Sequence, residues 1–189
     1  MTDSMTPADA SRRYAHISDG LEIRVFALAG QAWAAGTPCT EWTARDLISH
    51  VIAVHHQFVA MAGIEPPALL GPDDEPDMVF PAAREAVLQA LSDQELAEKV
   101  VESPFGPMTF ATLVGRILVA DTLIHTWDLA RATNQDEKLD PQAVTATMEL
   151  LRPLDQSIRG EGMFGPRIEP APGADEQTQL LNFCGRRVL

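Results

Sequence analysis

The chain has 189 residues, 46% of them apolar, enough to bury the core of one globular domain, and it reads as a single domain over 1–189. Fourteen Lys and Arg stand against 27 Asp and Glu, a formal charge of −13. Such a surface repels phosphate backbones and anionic bilayers alike, which sets nucleic acid and membranes aside as partners.

Met1 to Ala10 is polar and lacks the basic and apolar regions of a secretion signal. No stretch approaches the roughly 18 apolar residues of a membrane span. Cys39 and Cys184 lie far apart, with neither CxxC nor zinc-finger spacing around them. The expectation is a cytoplasmic protein with two reduced thiols.

The first helix is expected from about Pro7 to Ala34, on the three- and four-residue steps of Tyr14, Ile17, Leu21, Val25, Leu28 and Ala32. Gly20 weakens its centre, and Gly36-Thr37-Pro38 stops it. The second helix opens on Thr43, whose hydroxyl and the Asp46 carboxylate three residues on form a capping-box pair. Trp42, just before the cap, is placed to staple onto Leu47. The apolar row Leu47, Val51, Val54, Phe58 and Met61 runs to Gly63 and Pro66-Pro67.

The acidic, Pro-rich stretch from Glu65 to Asp77 is a surface loop. A third helix is predicted from about Phe80 to Leu91 with Pro81 in its first turn, and Ser92 or Asp93 caps a further turn through Leu96. Lys99 to Val101 and Met108 pair as a small hairpin about the turn Pro104-Phe105-Gly106-Pro107. Thr109 caps a fourth helix reaching about Thr133. The pair Asp140-Pro141 opens a fifth that ends near Gly160, and Asp175 to Arg186 forms a short terminal helix. Four long helices with short connections and a hairpin make a mainly α chain folded as a four-helix bundle.

The chemistry sits on the fourth helix. Asp121 and His125 are four apart, hence on one face with β-carbons about 5–6 Å apart. Asp121 follows Ile117 on an otherwise apolar row, where a carboxylate needs a cation or good hydrogen bonds. His125 offers a nitrogen ligand beside it. On the second helix His50 flanks the inward row of Leu47 and Val54. If the two helices face each other, His50, Asp121 and His125 meet, and two imidazoles and a carboxylate leave positions open on a zinc, nickel or iron ion. Alone, each has a plainer reading: a chance Asp-x-x-x-His, and a hydrogen-bonded core histidine.

Other polar residues have plain readings too. His55 is solvated or packs the bundle edge, and His16 reaches the core or stays exposed. Trp42 and Trp127 are core or cap residues rather than ligand-stacking ones, and Asp128 with Arg131 is a surface or boundary pair.

The segment Cys39-Thr-Glu-Trp42-Thr43-Ala-Arg-Asp46-Leu47-Ile-Ser-His50-Val51 resembles the opening of the second helix in actinobacterial DinB-like proteins, relatives of the metal-binding domain of mycothiol-dependent maleylpyruvate isomerases. The run Asp121-Thr-Leu-Ile-His125-Thr126-Trp127-Asp128-Leu129-Ala130-Arg131-Ala132 resembles that family's signature on the third bundle helix. The tail from Met163-Phe164-Gly165-Pro166 through Leu180-Leu181 to Gly185-Arg186 resembles its closing segment.

The resemblance implies a DinB-like four-helix bundle with a divalent metal, zinc first and nickel or iron next, on His50, Asp121 and His125. It also implies mycothiol as cosubstrate. The isomerases usually carry Glu where this chain has the shorter Asp121, and they have a further C-terminal domain for which 189 residues leave too little chain. The expectation is therefore thiol-dependent transfer or isomerisation of a small electrophile rather than the isomerase reaction itself. Two other functions compete with it: a non-catalytic metal- or small-molecule-binding bundle, and a metal-free bundle with a polar core network. A homodimer is compatible with all three.

Overall fold

A computed structural model of the chain describes residues 4–103, 106–159 and 164–188. Two compact units emerge, residues 1–136 and 137–189.

In the first unit, Thr6 caps α1 (Pro7–Phe26), its hydroxyl accepting from the Asp9 N–H, with proline at the start of the first turn. The helix stops a third short of the expected Ala34. Leu28 and Ala32 keep the helical period, but Gly30 takes a φ of +54°, and the chain re-enters as a 3-10 turn over Gly30–Ala34 that buries Trp33.

Thr43 and Asp46 form the predicted capping box at the head of α2 (Ala44–Ala62), and left-handed Gly63 closes it. α3 (Pro76–Ser92) begins a turn earlier than expected, because Pro76, not Pro81, occupies the first turn. Pro81 then lies inside the helix, where its missing N–H leaves the Asp77 carbonyl to other partners. Asp93 caps the short α4 (Gln94–Glu98) as anticipated.

Strands β1 (Val100–Val101) and β2 (Met108–Thr109) pair antiparallel, Val100 opposite Thr109 and Val101 opposite Met108. The tip of the predicted turn, Pro104-Phe105, lies outside the described residues. Thr109 accepts from the Thr112 N–H to cap α5 (Phe110–Leu113), which runs through a π-helical turn (Val114–Leu118) into α6 (Val119–Ala132).

The long helical column 110–132 thus carries one widened turn, in which the Val119 N–H reaches back to the Val114 carbonyl. Gly115 sits inside it against α1. A β-carbon at Gly115 would stand 3.1 Å from the Ala10 β-carbon and 3.2 Å from its α-carbon. Gly115→Val is therefore expected to destabilise the protein by about 2 kcal/mol, an overpacking loss that exceeds the helix propensity gained. A lowered urea midpoint checks it.

α1 and α2 each neighbour both α3 and the 110–132 column, so four helical columns close into the expected bundle. Its core includes Leu21, Val25, Leu47, Ile48, Val51, Ile52, Phe80 and Leu129. Among the described residues no helix is long and apolar enough to cross a membrane.

In the second unit Asp140 caps α7 (Pro141–Leu151), and Asp175 caps α8 (Glu176–Phe183), which packs on it. α7 ends well before the expected Gly160, itself outside the described residues. Pro153 has no N–H to continue the ladder, and the chain tightens into a 3-10 turn over Arg152–Leu154. Of the closing segment, Met163 also lies outside the described residues.

Candidate metal centre

The α2 stripe is wider than a single row. Leu47, Val51 and Phe58 form one buried line, and Ile48, Ile52, His55 and Val59 form a second beside it. His50 borders the first line, half-buried, where α2 neighbours α6. Asp121 and His125 stand one turn apart on α6, and His125 is buried.

The fold brings these three together. One ligand-capable atom from each of His50, Asp121 and His125 lies within 4.8 Å of the other two. His125 Nε2 is 3.5 Å from Asp121 Oδ1. The His50 and His125 rings meet edge to face, with centroids 5.1 Å apart. The second Asp121 oxygen, Oδ2, is buried with no hydrogen-bond partner among the described residues.

The electrostatics reflect that crowding. Burial works to lower the His125 pKa, but the Asp121 carboxylate, its hydrogen bond and those of Asp128 and Cys39 outweigh it and hold the ring well above the ordinary range. His50 goes the other way. Burial and the neighbouring His125 charge lower it, against the pull of Asp121. Burial alone would raise Asp121, yet His125, with His50 and His55, keeps its carboxyl below the usual range.

Asp128 and Trp42, given plain roles in the sequence, and Cys39, given none, all stand around this cluster. Asp128, expected as a surface or boundary partner of Arg131, is 0% exposed. Its Oδ2 lies within hydrogen-bond distance of His125 Nδ1, at 3.0 Å, and accepts from the Cys39 thiol at 3.3 Å. Trp42 packs against the core cluster that includes Leu47, as expected of a core or cap residue, and it also lies over His50, with ring centroids 4.7 Å apart. The third, Cys39, carried no role at all. It is 89 residues from Asp128 in sequence, and nothing local announces the contact.

His55 is corrected as well. It is 0% exposed, on the second buried line of α2 between Tyr14 and Phe80, whose ring centroids lie 5.8 and 5.7 Å away. His16 is exposed on α1. Trp127 is wholly buried, as expected of a core residue.

Two imidazoles and a carboxylate from facing helices are the donor set of an open zinc, nickel or ferrous site. The residues fit such an ion on two grounds. The buried, unpartnered Asp121 oxygen is costly unless something positive engages it. His125 Nδ1 is already held by a carboxylate, the outer-shell arrangement typical of metal-bound histidine.

Fold and cluster together define a helical-bundle protein with a histidine–carboxylate centre between two of its helices. The family model of the mycothiol maleylpyruvate isomerase N-terminal domain matches residues 14–130, and the chain belongs to that family. The matched span contains His50, Asp121 and His125. The chain is also 33% identical over 161 residues to uncharacterized proteins of Mycobacterium tuberculosis strains H37Rv and CDC 1551, covering 80% of this chain and 84% of each relative. No solved structure matches it.

Proposed function

We propose that the protein binds one divalent metal ion, zinc first and nickel or iron next, through His50, Asp121 and His125, and acts with a small thiol of the mycothiol type on a small electrophile. The carrying observation is the convergence of three ligand atoms within 4.8 Å, one of them on a carboxylate that has a buried oxygen without a hydrogen-bond partner among the described residues. Bound there, the ion would supply Lewis acidity, lowering the pKa of a coordinated water or thiol.

The chain's own residues set the rest. His50 Nε2 or Nδ1, Asp121 and His125 Nε2 take three positions and leave others open. Trp42 packs against one side of the His50 ring. Because His125 holds its proton strongly, ion and proton compete at Nε2, so affinity falls as pH falls. Membership of a family named for a mycothiol-dependent isomerase supports mycothiol as the thiol. The same reading makes it a cytoplasmic protein, compatible with a homodimer.

The test is elemental analysis of protein purified without a polyhistidine tag and incubated with zinc, then with cobalt as a spectroscopic substitute. About one ion per chain is expected, as one donor set implies. Added mycothiol should produce a thiolate-to-cobalt charge-transfer band. An ion that ignores the thiol would make this a non-catalytic metal-binding bundle. A protein that stays empty would make the triad a polar core network.

A further inference from the structure

His125 is flanked on both edges of its ring. Asp121, one turn before it, faces Nε2 at 3.5 Å, and Asp128, three residues after it, faces Nδ1 at 3.0 Å. Neutral imidazole carries one proton, and which nitrogen holds it is decided by the hydrogen bond the other end makes. A fully buried carboxylate at Nδ1 favours the proton there, which turns the Nε2 lone pair toward Asp121 and His50.

The same Asp128 oxygen also receives the Cys39 thiol. Cys39 belongs to a loop stitched tightly to itself. The Thr37 N–H donates to the Trp42 carbonyl at 2.9 Å, and the Trp42 N–H to the Cys39 carbonyl at 3.0 Å. The Cys39 N–H donates to the Thr37 hydroxyl at 3.2 Å, and an isolated bridge joins Gly36 to Thr43. Glu41 takes a φ of +70° to complete the turn. The loop therefore moves as one piece, and it carries Trp42 over His50. The Cys39–Asp128 contact pins that piece to α6.

We infer that Asp128 and Cys39 are positioning residues of the centre: Asp128 fixes the Nδ1–H tautomer of His125 and so presents Nε2 as a ligand, while Cys39 clamps the Trp42 loop to the same carboxylate. This rests on the metal reading above for its consequence, though the tautomer itself does not. In this assignment neither residue is a ligand. Both act through His125 and Trp42.

The experiment has two arms. In the first, two-bond nitrogen–proton NMR of the metal-free wild type at alkaline pH, where the ring is neutral, should find His125 protonated on Nδ1. A proton on Nε2 overturns the proposal whatever the metal does, and this arm stands even if no ion binds. In the second, zinc affinity is measured by competition with a chromophoric chelator. Asp128→Asn, whose amide can donate to Nδ1 and so favour the opposite tautomer, should bind about 10–100-fold more weakly. Cys39→Ser keeps a donor and should stay within about threefold of wild type, while Cys39→Val should fall with Asp128→Asn. Wild-type affinity in Asp128→Asn overturns the proposal. A wild type that binds no zinc overturns the metal reading alone and leaves the tautomer arm to decide this one.

Discussion

Asp121→Ala is expected to weaken zinc binding by at least about a hundredfold while the metal-free protein keeps its fold. A four-ligand zinc site is worth roughly 10–16 kcal/mol, or about 3 kcal/mol for each ligand, which is about two powers of ten in affinity. Asp121 should reach that figure because its charge also offsets the cation's. In the metal-free protein the residue does less. Its contact with His125 Nε2 is long, at 3.5 Å, its other oxygen has no hydrogen-bond partner among the described residues, and its side chain is 26% exposed.

Removing it takes away the main reason His125 is held above the ordinary range, so that ring should titrate lower, back toward His50. Chelator competition and urea unfolding of the metal-free protein measure the two effects separately. Unchanged affinity would mean that the carboxylate is no ligand. A large loss of metal-free stability with no metal bound by either protein would favour the polar-network reading. His50→Ala gives the same contrast from the other helix.

How much of this was legible beforehand depends on how local each cause is. The capping box at Thr43 and Asp46, the Thr109 cap and the small hairpin of Val100–Val101 with Met108 are decided within a few residues, and they stand where the sequence places them. Helix ends were misjudged where two local rules compete. Leu28 and Ala32 keep the helical period while Gly30 turns the chain, and Pro76 and Pro81 both qualify for the first turn of α3.

The triad was legible because Asp121 and His125 share a face and His50 borders an apolar row, and two helix motifs supported the pairing. Its surroundings were not. Cys39 meets Asp128 only because the loop before α2 folds back onto α6, and a spacing rule for Asp128 finds Arg131 first. The widened turn at Val114–Leu118 left a single trace, a glycine inside an apolar helical run. His55 was misplaced because one inward row was assumed for α2 where the bundle buries two.

That second row makes His55 the group whose protonation the fold resists most plainly. Its Nδ1–H donates to the Val51 carbonyl at 2.7 Å, and its Nε2 is buried with no partner among the described residues. A second proton has nothing there to accept it. Burial pushes the pKa from the ordinary 6.5 down to about 4, against the hydrogen bond to Val51 and the nearby Asp121 charge, which pull it up.

Between those values the unfolded chain binds the proton and the folded one does not. Stability is therefore complete above pH 6.5 and is lost as pH falls toward about 4. At about 1.36 kcal/mol per pKa unit the gap amounts to about 3 kcal/mol. His50 and His56, also lowered, add to the same slope. His125, raised, opposes it, since its contribution is present at acid pH and fades as pH rises through its folded value.

Urea unfolding at about pH 7 and about pH 4, on wild type and His55→Leu, isolates the one group by difference. The variant should lose about 3 kcal/mol less than wild type on acidification. Parallel losses in the two proteins would mean that His55 finds an acceptor for its second proton as the bundle relaxes around it. The acid sensitivity would then belong to the centre on His50, Asp121 and His125 rather than to the second buried line of α2.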